Sequence, residues 1–344
     1  MENYDIAIIG AGPAGANLAR LLPKNIRAVI IDGSLGREKV CGGLISPDAK
    51  ELLDCYGIAL TDEILASPQL TGVRTMDLSD GYERFYKRGY INVKRSAFDA
   101  AILSLVGENV KKLSGRCVGI EKANDGFYVS LEGTEKIFCS YLVGADGGGS
   151  FVRRSLFKDK RIHKYIAIQQ WFEAKEDAPH YACVFDRETS PACSWIFFKD
   201  GRLVFGGAFN MEGGRAAFEK QKEKLVKLGK VSHDAFDAPL YTEACTVCRP
   251  KLSGGIFFGK GRAFLIGEAS GLISPSSFEG ISYALKSGEL LAKAFEKEKA
   301  PEAILGSYKK SCFKLKLKLY AKCVKRPFMY SPLLRRAVMK LGIG

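Results

Sequence analysis

The residues that decide the fold are Tyr4-Asp-Ile-Ala-Ile-Ile-Gly10-Ala-Gly12-Pro-Ala-Gly15, near the start of the chain. A short apolar strand runs into three glycines spaced G-x-G-x-x-G, and a helix is expected directly after them. The first glycine permits a tight turn, the second lets the backbone approach a pyrophosphate, and the third lets the helix pack closely on the strand. The N-terminus of that helix can then face the phosphates. The residues predicted to contact such a dinucleotide are Gly10, Gly12, Pro13, Ala14 and Gly15.

An acidic residue at the end of the second predicted strand supports this assignment. Residues 26–31 form an apolar strand that ends in Asp32, about twenty residues after the glycines, where a carboxylate can bind a ribose 2′-hydroxyl. Gly33 opens a loop, residues 33–47, that is too rich in glycine to be packed core, and such loops let the backbone approach a ligand. A glycine-rich turn without any ligand is the alternative, and the combination of strand, spacing and acid disfavours it.

The size and composition of the chain indicate a folded protein with two coupled domains. Its 344 residues are 47% hydrophobic, enough to bury one large core or two that share a cleft. No apolar run is long enough for a spanning helix, and the first strand begins too early to leave room for a signal peptide. Ten scattered cysteines favour reduced thiols. These features predict a cytoplasmic protein.

The positive charge of the chain is concentrated in its tail. There are 52 basic and 38 acidic residues, a formal net charge of +14. Residues 309–344 contain eleven Lys or Arg and no Asp or Glu, which leaves 41 basic against 38 acidic residues elsewhere. A body of about +3 gives no support to nucleic-acid binding over the whole surface.

The order of the predicted elements is that of an α/β protein with an inserted sheet. Residues 109–143 are predicted to form a β-meander that ends in two strands, 136–139 and 141–143. A helix is predicted at 216–228, and a second helix at 279–297 after strand 262–266. Aromatic and β-branched runs predict antiparallel strands at 165–172, 180–185, 194–198 and 202–209. We therefore expect a discontinuous Rossmann-type domain, an antiparallel β-sheet substrate domain and a basic helical C-terminal segment. Their predicted ranges are 1–75 with 94–155 and 256–300, then 76–93 with 156–255, and finally 301–344.

Three glycine and acid motifs follow predicted strands: G-A-G-P-A-G at 10–15, G-A-D-G at 144–147 and G-E-A-S-G at 267–271. In this order, with Arg95 between the first two, they resemble the flavoprotein hydroxylase and geranylgeranyl reductase superfamily. That resemblance implies FAD as the cofactor, Asp146 and Glu268 beside it, and Arg95 near its ribityl and pyrophosphate part. The chain departs from the usual pattern twice, with Asp32 where Glu is commoner and Glu268 where Asp is commoner.

Three further stretches resemble the geranylgeranyl reductases within that superfamily. Residues 39–44, Lys-Val-Cys-Gly-Gly-Leu, are similar to their cysteine-glycine loop, and residues 273–280 to their flavin loop. Residues 193–199 are similar to their aromatic substrate motif, although Phe198 replaces its proline and no tyrosine precedes Trp195 at the usual distance. The resemblance extends the predicted cofactor-binding set to Asp32, Gly33, Cys41, Gly42, Gly43, Arg95, Asp146, Gly147, Gly267, Glu268, Gly271, Pro275, Gly280 and Ile281.

Several side chains keep two interpretations at this point. Cys41 is either a thiol exposed in the active site or a small buried residue, and Trp195 either lines the substrate pocket or packs on a strand face. Cys245 and Cys248 form a single C-x-x-C without a second pair, which favours a redox pair or plain core over zinc. The three histidines fit no metal or triad spacing, so no metal is predicted.

The resemblance implies an FAD-dependent oxidoreductase that reduces carbon–carbon double bonds of an apolar, isoprenoid-like substrate. Cys41 and Trp195 are the predicted catalytic residues, with NADPH or a reduced ferredoxin-type protein as electron donor. The proton donor is left open among Cys41, a nearby tyrosine and a bound water. A monooxygenase of the same fold is the first alternative, and a flavin-binding or membrane-recruitment protein without turnover is the second.

The C-terminal segment shows the periodicity of a basic amphipathic helix. Apolar residues recur at three- and four-residue intervals, with lysines between them, and a second short helix is predicted after Pro332. The apolar sets are Leu305, Tyr308, Cys312, Leu315, Leu319 and Cys323, then Leu333, Leu334, Ala337, Val338 and Leu341. Residues 313–319 also alternate with the period of a strand, so a strand is the structural alternative. For the function of the segment, the alternative to membrane binding is a solvated basic cap packed on the flavin domain. We expect peripheral binding to an anionic membrane, because acidic lipids relieve the repulsion among eleven positive charges.

Overall fold

A computed structural model describes residues 1–33, 40–133, 136–174 and 177–342. Residues 34–39 of the predicted glycine-rich loop 33–47, including Lys39 of the cysteine-glycine loop, therefore lie outside the described residues. The helices are α1 Pro13–Leu21, α2 Pro47–Cys55, α3 Arg95–Ser104, α4 Phe151–Leu156, α5 Gly214–Lys227, α6 Ile281–Lys297, α7 Pro301–Ser311, α8 Phe313–Tyr330 and α9 Pro332–Leu341. The first ten strands are β1 Asn3–Ile9, β2 Ala28–Asp32, β3 Leu44–Ile45, β4 Gly72–Asp77, β5 Glu83–Tyr86, β6 Ile91–Asn92, β7 Val110–Ser114, β8 Cys117–Lys122, β9 Phe127–Leu131 and β10 Ile137–Gly144. The later strands are β11 His163–Glu173, β12 His180–Phe185, β13 Cys193–Lys199, β14 Arg202–Phe209, β15 Tyr241–Arg249, β16 Gly259–Lys260 and β17 Ala263–Leu265.

The first sheet has the order β16-β17-β10-β1-β2-β7, and β8 and β9 extend it from β10. Strand β1 is parallel to both β10 and β2, and β2 is parallel to β7. Helices cover such a sheet on both faces, so its central strands are apolar throughout. Ile6 and Ile8 of β1 accordingly face one core cluster, and Ala7 and Ile9 face the other. We call this unit the parallel-sheet domain.

The second sheet has the order β15-β11-β14-β13-β12-β4-β5. Neighbouring strands are antiparallel except for β12 and β4, which are parallel. One face is covered by α5, whose Phe218 and Leu225 pack with Phe205 and Phe209 of β14. This antiparallel sheet contains the four predicted strands between residues 165 and 209, each within two residues of its predicted ends.

Helices α6 to α9 connect the two units. Helix α6 lies along α1, and Gly288 permits this approach because a Cβ there would come within 2.6 Å of the Ala14 carbonyl oxygen. Helix α7 completes the same core: Tyr308 is fully buried and its hydroxyl donates to the Leu265 carbonyl at 3.1 Å. Helix α9 reaches the antiparallel sheet, where Arg335 pairs with Asp77 at the end of β4.

The structure moves the predicted domain limits at three points. Residue 76 falls inside β4, whose pairing with β12 begins at Gly72, so residues 72–75 belong to the antiparallel sheet. Strand β6, placed in the substrate domain by the sequence, pairs instead with β3 to form a separate ribbon. The limit at residue 300 does not separate two units, since α7 packs into the core of the parallel-sheet domain.

The strand predictions were wrong in two places. Residues 136–139 and 141–143 were expected as two strands, but β10 runs through them without interruption because both parts pair with β1. Strand β15 was not predicted, although it pairs with β11 along nine residues, His163 to Trp171. The tail is helical as expected, and the strand alternative for residues 313–319 is excluded by α8.

Candidate functional site

The three glycines of the first turn differ in what surrounds them. Gly10 adopts a φ of 107°, and a Cβ there would lie 2.5 Å from the carbonyl oxygen of Ala145. A Cβ on Gly15 would overlap the Gly10 carbonyl oxygen, so this position needs glycine for close packing of α1. A Cβ on Gly12 would meet no atom within 4 Å. Gly12 therefore faces open space at the N-terminus of α1, with Pro13 in the first turn of that helix.

A cleft of about 690 Å³ opens at the carboxyl ends of β1, β2 and β10. Ligands of open α/β sheets bind at this edge, and the volume is in the range of small-molecule sites. Asp32 lines it, and its Oδ2 accepts a hydrogen bond from the Ala11 backbone at 2.7 Å. Arg116 and Arg154 supply positive charge to the wall. Other predicted cofactor residues in the lining are Gly10, Gly12, Gly33, Asp146 and Gly147.

Asp146 lines the cleft, but its carboxylate is engaged by the protein. Its Oδ1 accepts from the Ser150 hydroxyl at 2.5 Å, and its Oδ2 accepts from the backbone N–H groups of Phe151 and Val152 at 2.6 and 3.1 Å. These are the free N–H groups that open α4, so Asp146 caps the helix together with Ser150. Burial raises the pKa of Asp146 in spite of these hydrogen bonds. The motif therefore shapes the cleft through α4.

Arg95 and Cys41 come together at the N-terminus of α3. Arg95 is 7% exposed and its Nε donates to Asp99 at 2.9 Å. Burial alone would lower the pKa of Arg95, but the Asp99 carboxylate and the adjacent Cys41 thiol raise it. Both Arg95 and Cys41 line a second, small cavity of about 80 Å³, which also contacts Trp171 and Tyr241. Cys41 is half-buried. Because they share this cavity, the predicted arginine and the predicted thiol lie in one site.

A buried lysine that the sequence did not single out holds the Cys41 loop. Lys199 is 5% exposed, and its Nζ donates to the carbonyl oxygens of Gly42 at 2.5 Å and Val93 at 2.8 Å. Gly43 has a φ of 67° and leaves no room for a Cβ beside the Val93 carbonyl. The loop is thus fixed between β13 and the chain before α3. The only sequence signal was the position of Lys199 at the end of the aromatic motif.

The third motif forms a compact turn around Gly267 and Gly271, which have φ values of 55° and 87°. Glu268 does not enter the 690 Å³ cleft; its Oε1 accepts from the backbone N–H of Cys248 at 2.7 Å. A Cβ on Gly148 would lie 2.6 Å from the same oxygen. Glu268 therefore joins the third motif to β15, beside Gly148 in the turn before α4, a structural contact that the family resemblance did not imply.

The predicted flavin loop continues from this turn to the start of α6. The Pro275 carbonyl accepts from Arg249 Nε at 2.7 Å, which ties the loop to the end of β15. Gly280 caps α6, and Ile281 begins it and packs beside α2. Phe278 holds a φ of 56°, a conformation that side chains other than glycine rarely adopt. Strain of this kind is common at ligand sites.

Trp195 lies on the face of β13 opposite α5. It shares that face with Phe197, and a Cβ on Gly42 would lie 3.1 Å from the Phe197 ring. The aromatic face thus meets the Cys41 loop. The indole Nε1 of Trp195 is buried and has no hydrogen-bond acceptor among the residues that the structure describes. We call the aromatic residues on this side of the antiparallel sheet the aromatic face. They are Tyr90, Trp171, Tyr181, Trp195, Phe197 and Tyr241.

A hydrogen bond between Tyr90 and Glu279 links the aromatic face to the flavin loop. The Tyr90 hydroxyl donates to Glu279 Oε1 at 2.8 Å. Burial, and after it the charge of Glu279, raise the pKa of Tyr90 well above its usual range. Tyr90 and Glu279 lie 189 residues apart in the sequence, so nothing in the spacing could join them.

The C-x-x-C pair does not form one site. Both cysteines lie on β15, and residues three apart on a strand point to opposite faces. Cys248 donates to the Gly148 carbonyl at 3.4 Å, while Cys245 lies near the Val40 carbonyl at 3.8 Å. Burial raises the pKa of Cys248 to about 12. This geometry removes the redox-pair interpretation.

Two groups of described residues fit the two parts of a single FAD molecule. The open space beyond Gly12, the α1 N-terminus and Asp32 suit the pyrophosphate and ribose of a dinucleotide. Arg95, the Cys41–Gly43 loop and the loop before α6 then suit the remainder. FAD supplies hydride transfer chemistry when it is bound.

Comparisons with known proteins identify matching family models and similar folds. The family model described as "FAD binding domain" matches residues 121–320, and the model described as "Lycopene cyclase protein" matches residues 5–172. Among solved structures, a geranylgeranyl bacteriochlorophyll reductase-like protein from Thermoplasma acidophilum has a TM-score of 0.84 at 18% identity, covering 100% of this chain and 92% of that one. PqsL, a probable FAD-dependent monooxygenase from Pseudomonas aeruginosa, has a TM-score of 0.72 at 17% identity, covering 98% and 100%. These two likenesses show the fold.

Sequence relatives are closer than these structures. Protein CbrA of Escherichia coli O6:H1 is 41% identical over 353 residues, which cover 100% of this chain and 95% of that protein. Protein CbrA of Shigella dysenteriae serotype 1 is also 41% identical over 353 residues, covering 100% of this chain and 98% of that protein. The chain therefore belongs to the FAD-dependent oxidoreductase superfamily and, within it, to the family of the CbrA proteins.

Proposed function

We propose that this protein reduces carbon–carbon double bonds of an apolar, isoprenoid-like substrate, with NADPH or a reduced ferredoxin-type protein as the electron source. The observation that carries the proposal is the aromatic face, which meets the Cys41 loop through Phe197 and Gly42. Stacked Trp171 and Tyr241 rings, with centroids 5.4 Å apart, close one side of it. Such a surface binds an apolar chain by burying it against the ring faces.

Residues of this chain would hold the substrate and supply the proton. Reduction of an alkene adds a hydride to one carbon and a proton to the other. Tyr90 carries a proton at its Oη and holds it through neutral pH, since burial and Glu279 raise its pKa. Cys41, which lines the small cavity beside Arg95, is the second candidate donor. A general acid must lie within hydrogen-bond reach of the atom that it protonates. Both side chains are therefore candidates that substitution can distinguish.

Names carried by similar proteins support an isoprenoid substrate. The words geranylgeranyl and lycopene, in the descriptions of the Thermoplasma structure and of one family model, both denote isoprenoids. A monooxygenase acting on an apolar or aromatic substrate is the alternative, supported by the fold shared with PqsL.

A single stopped-flow experiment, carried out without and then with oxygen, separates these functions. The purified holoenzyme is reduced with dithionite in a stopped-flow instrument and mixed with geranylgeraniol, first without oxygen and then with air. Flavin reoxidation that depends on the alkene and needs no oxygen supports the reductase. Reoxidation that requires both oxygen and substrate supports the monooxygenase, and no substrate dependence in either case supports a binding protein. In the reductase case, Tyr90→Phe and Cys41→Ala identify the proton donor, because loss of the donor lowers the rate typically 100- to 10,000-fold.

A further inference from the structure

Helix α8 exposes a continuous apolar stripe on the side turned away from the protein. Phe313, Leu317, Val324 and Phe328 are 63%, 58%, 59% and 48% exposed. Their spacing of four, seven and four residues returns to the same side of a helix. These are not the apolar positions singled out in the sequence. Of that set, Cys312 and Leu319 face inward and are fully buried.

A row of lysines runs beside this stripe. Lys314, Lys318 and Lys325 are exposed and follow the stripe residues by one position, so they lie along one flank of it. Lys318 lies 3.6 Å from Asp48. The described part of the chain provides no carboxylate within 4.0 Å of Lys314 or Lys325. Apolar residues bordered by unneutralised lysines are typical of helices that bind membrane surfaces.

Helix α9 continues this composition. Leu333, Leu334 and Leu341 are exposed, and Lys340 is exposed beside them. The buried side of α9 is formed instead by Arg335 and Met339. We call the seven exposed apolar residues of the two helices the outer face: Phe313, Leu317, Val324, Phe328, Leu333, Leu334 and Leu341.

Specific contacts prevent the outer face from turning inward. Tyr330, at the end of α8, hydrogen-bonds through its hydroxyl to the Ser276 carbonyl. Cys323 lies 3.7 Å from the Pro250 carbonyl. On α9, the buried Arg335 donates from Nε to Asp77 at 2.7 Å. Rotation of either helix would break these contacts and bury cations, so the apolar side is held toward the solvent.

We propose that the outer face is a docking surface for an anionic lipid bilayer. A second copy of this chain is a poorer occupant, because two such faces would bring their lysines together. An anionic lipid surface neutralises the lysines and takes up the apolar side chains at the same time. Within the described residues, no helix is long and apolar enough to cross a membrane, and the proposal is one of surface binding. It does not depend on which reaction the flavin site performs.

Sedimentation with lipid vesicles tests this proposal on the full-length holoprotein. We expect binding to vesicles that contain phosphatidylglycerol, weaker binding to pure phosphatidylcholine, and a decrease as salt is raised. Substituting Lys314, Lys325 and Lys340 by Gln should weaken binding to the anionic vesicles roughly 100-fold. Substituting Phe313, Leu317, Val324 and Phe328 by Ser should weaken it at least about tenfold.

Matched variants elsewhere on the surface serve as controls. Met211, Leu105 and Leu252 are similarly exposed apolar residues, and their substitution by Ser should leave vesicle binding unchanged. Lys24, Lys112 and Lys227 are exposed lysines whose substitution by Gln should also leave it unchanged. Flavin content reports folding in every variant. Equal binding by outer-face and control variants would overturn the proposal, as would a wild-type dimer that the serine substitutions convert to a monomer without lipid.

Discussion

At the scale of single residues, Gly12 is the glycine of the first turn at which a substitution should affect cofactor binding without affecting folding. Its backbone is extended, with φ −69° and ψ −176°, a conformation open to any residue. A Cβ at this position would meet no protein atom within 4 Å. The space beyond it is the cleft in which the pyrophosphate is expected, so a larger side chain would compete with the cofactor alone.

We therefore predict that Gly12→Val abolishes flavin binding while changing the free energy of unfolding of the apoprotein by no more than about 1 kcal/mol. Gly15→Val is the matched comparison, because its Cβ would overlap the Gly10 carbonyl oxygen and force α1 away from β1. That variant should lose several kcal/mol of stability as well as flavin. Flavin absorbance and apoprotein melting measure the two effects, and full flavin occupancy in Gly12→Val would refute the assignment.

Cys41 allows a second prediction at the same scale. The thiol lines the small cavity beside Arg95, and the adjacent Gly42 carbonyl is fixed by Lys199. Cys41→Ala should lower turnover far more than it lowers flavin content or melting temperature, because it leaves the loop contacts in place. Lys199→Met should instead lower all three, since it leaves two buried carbonyl oxygens without their donor at about 1–3 kcal/mol. Equal loss of all three properties in Cys41→Ala would identify a packing residue.

Sequence motifs predicted the local geometry of the site better than its contacts. The glycine roles follow from backbone sterics over six residues, which is why Gly10 and Gly15 could be assigned from spacing. The contacts of Lys199 with Gly42 and of Tyr90 with Glu279 join residues more than a hundred positions apart. No local pattern encodes such pairs. Asp146 shows the opposite case, since its motif was visible but its carboxylate caps α4.

At the scale of elements, a buried carboxylate on α6 holds α2 and α6 together. Glu289 accepts hydrogen bonds from Lys286 at 2.7 Å and Lys293 at 2.6 Å on its own helix. It also accepts from the Tyr56 hydroxyl, just after α2, at 2.6 Å. Burial alone would raise the pKa of Glu289, but these three donors lower it to about 2.

The lowered pKa gives a prediction for stability at acid pH. The charged form of Glu289 is favoured in the folded state, so its contribution is complete above the ordinary value of 4.5 and is lost as the pH falls toward about 2. The contribution is at most about 3 kcal/mol. Glu289→Gln should therefore be less stable than wild type at about pH 6, and this difference should shrink at about pH 3. Glu296 is exposed on the same helix, and Glu296→Gln is the control. A stability difference between wild type and Glu289→Gln that is as large at about pH 3 as at about pH 6 would contradict the argument.

Elements with a strong periodic pattern were predicted well, and the orientation of the tail helices was not. Strands β11 to β14 are rich in aromatic and β-branched residues, whereas β15 carries Thr, Glu, Ala and Cys and gives a weaker signal. In α8, both sides of the helix carry apolar residues three and four apart. Periodicity identifies such a helix but cannot decide which side is buried, because that depends on the surface it meets.

At the scale of the whole molecule, α7 to α9 join the parallel-sheet domain to the antiparallel sheet. Tyr308 of α7 is buried in the first, and Arg335 of α9 is buried against the second. Deletion of residues 309–344 would remove Leu319 and Arg335 from these contacts, so it would alter stability along with any surface property. Single substitutions are the better test of the connection.

The buried pair of Arg335 and Asp77 should determine how firmly the tail holds the sheet. Arg335 Nε donates to Asp77 Oδ2 at 2.7 Å, its Nη1 donates to the Met329 carbonyl at 2.8 Å, and the guanidinium lies 4.6 Å from the Phe185 ring centre. Arg335→Met would leave the Asp77 carboxylate, 1% exposed, without its cation. We predict a loss of about 3–5 kcal/mol, measured by denaturant unfolding and by faster proteolysis of the tail.

A neighbouring pair on the same helix provides the comparison for this last prediction. Arg336 lies 3.6 Å from Asp80, and the arginine is 50% exposed, so Arg336→Met should cost no more than about 1 kcal/mol. Adding Asp77→Asn to Arg335→Met should recover part of the lost stability, because no unpaired charge then stays buried. If Arg335→Met and Arg336→Met unfold at the same denaturant concentration, the buried pair does not hold the tail, and the connection between the two sheets must rest on the apolar contacts of α7 and α8.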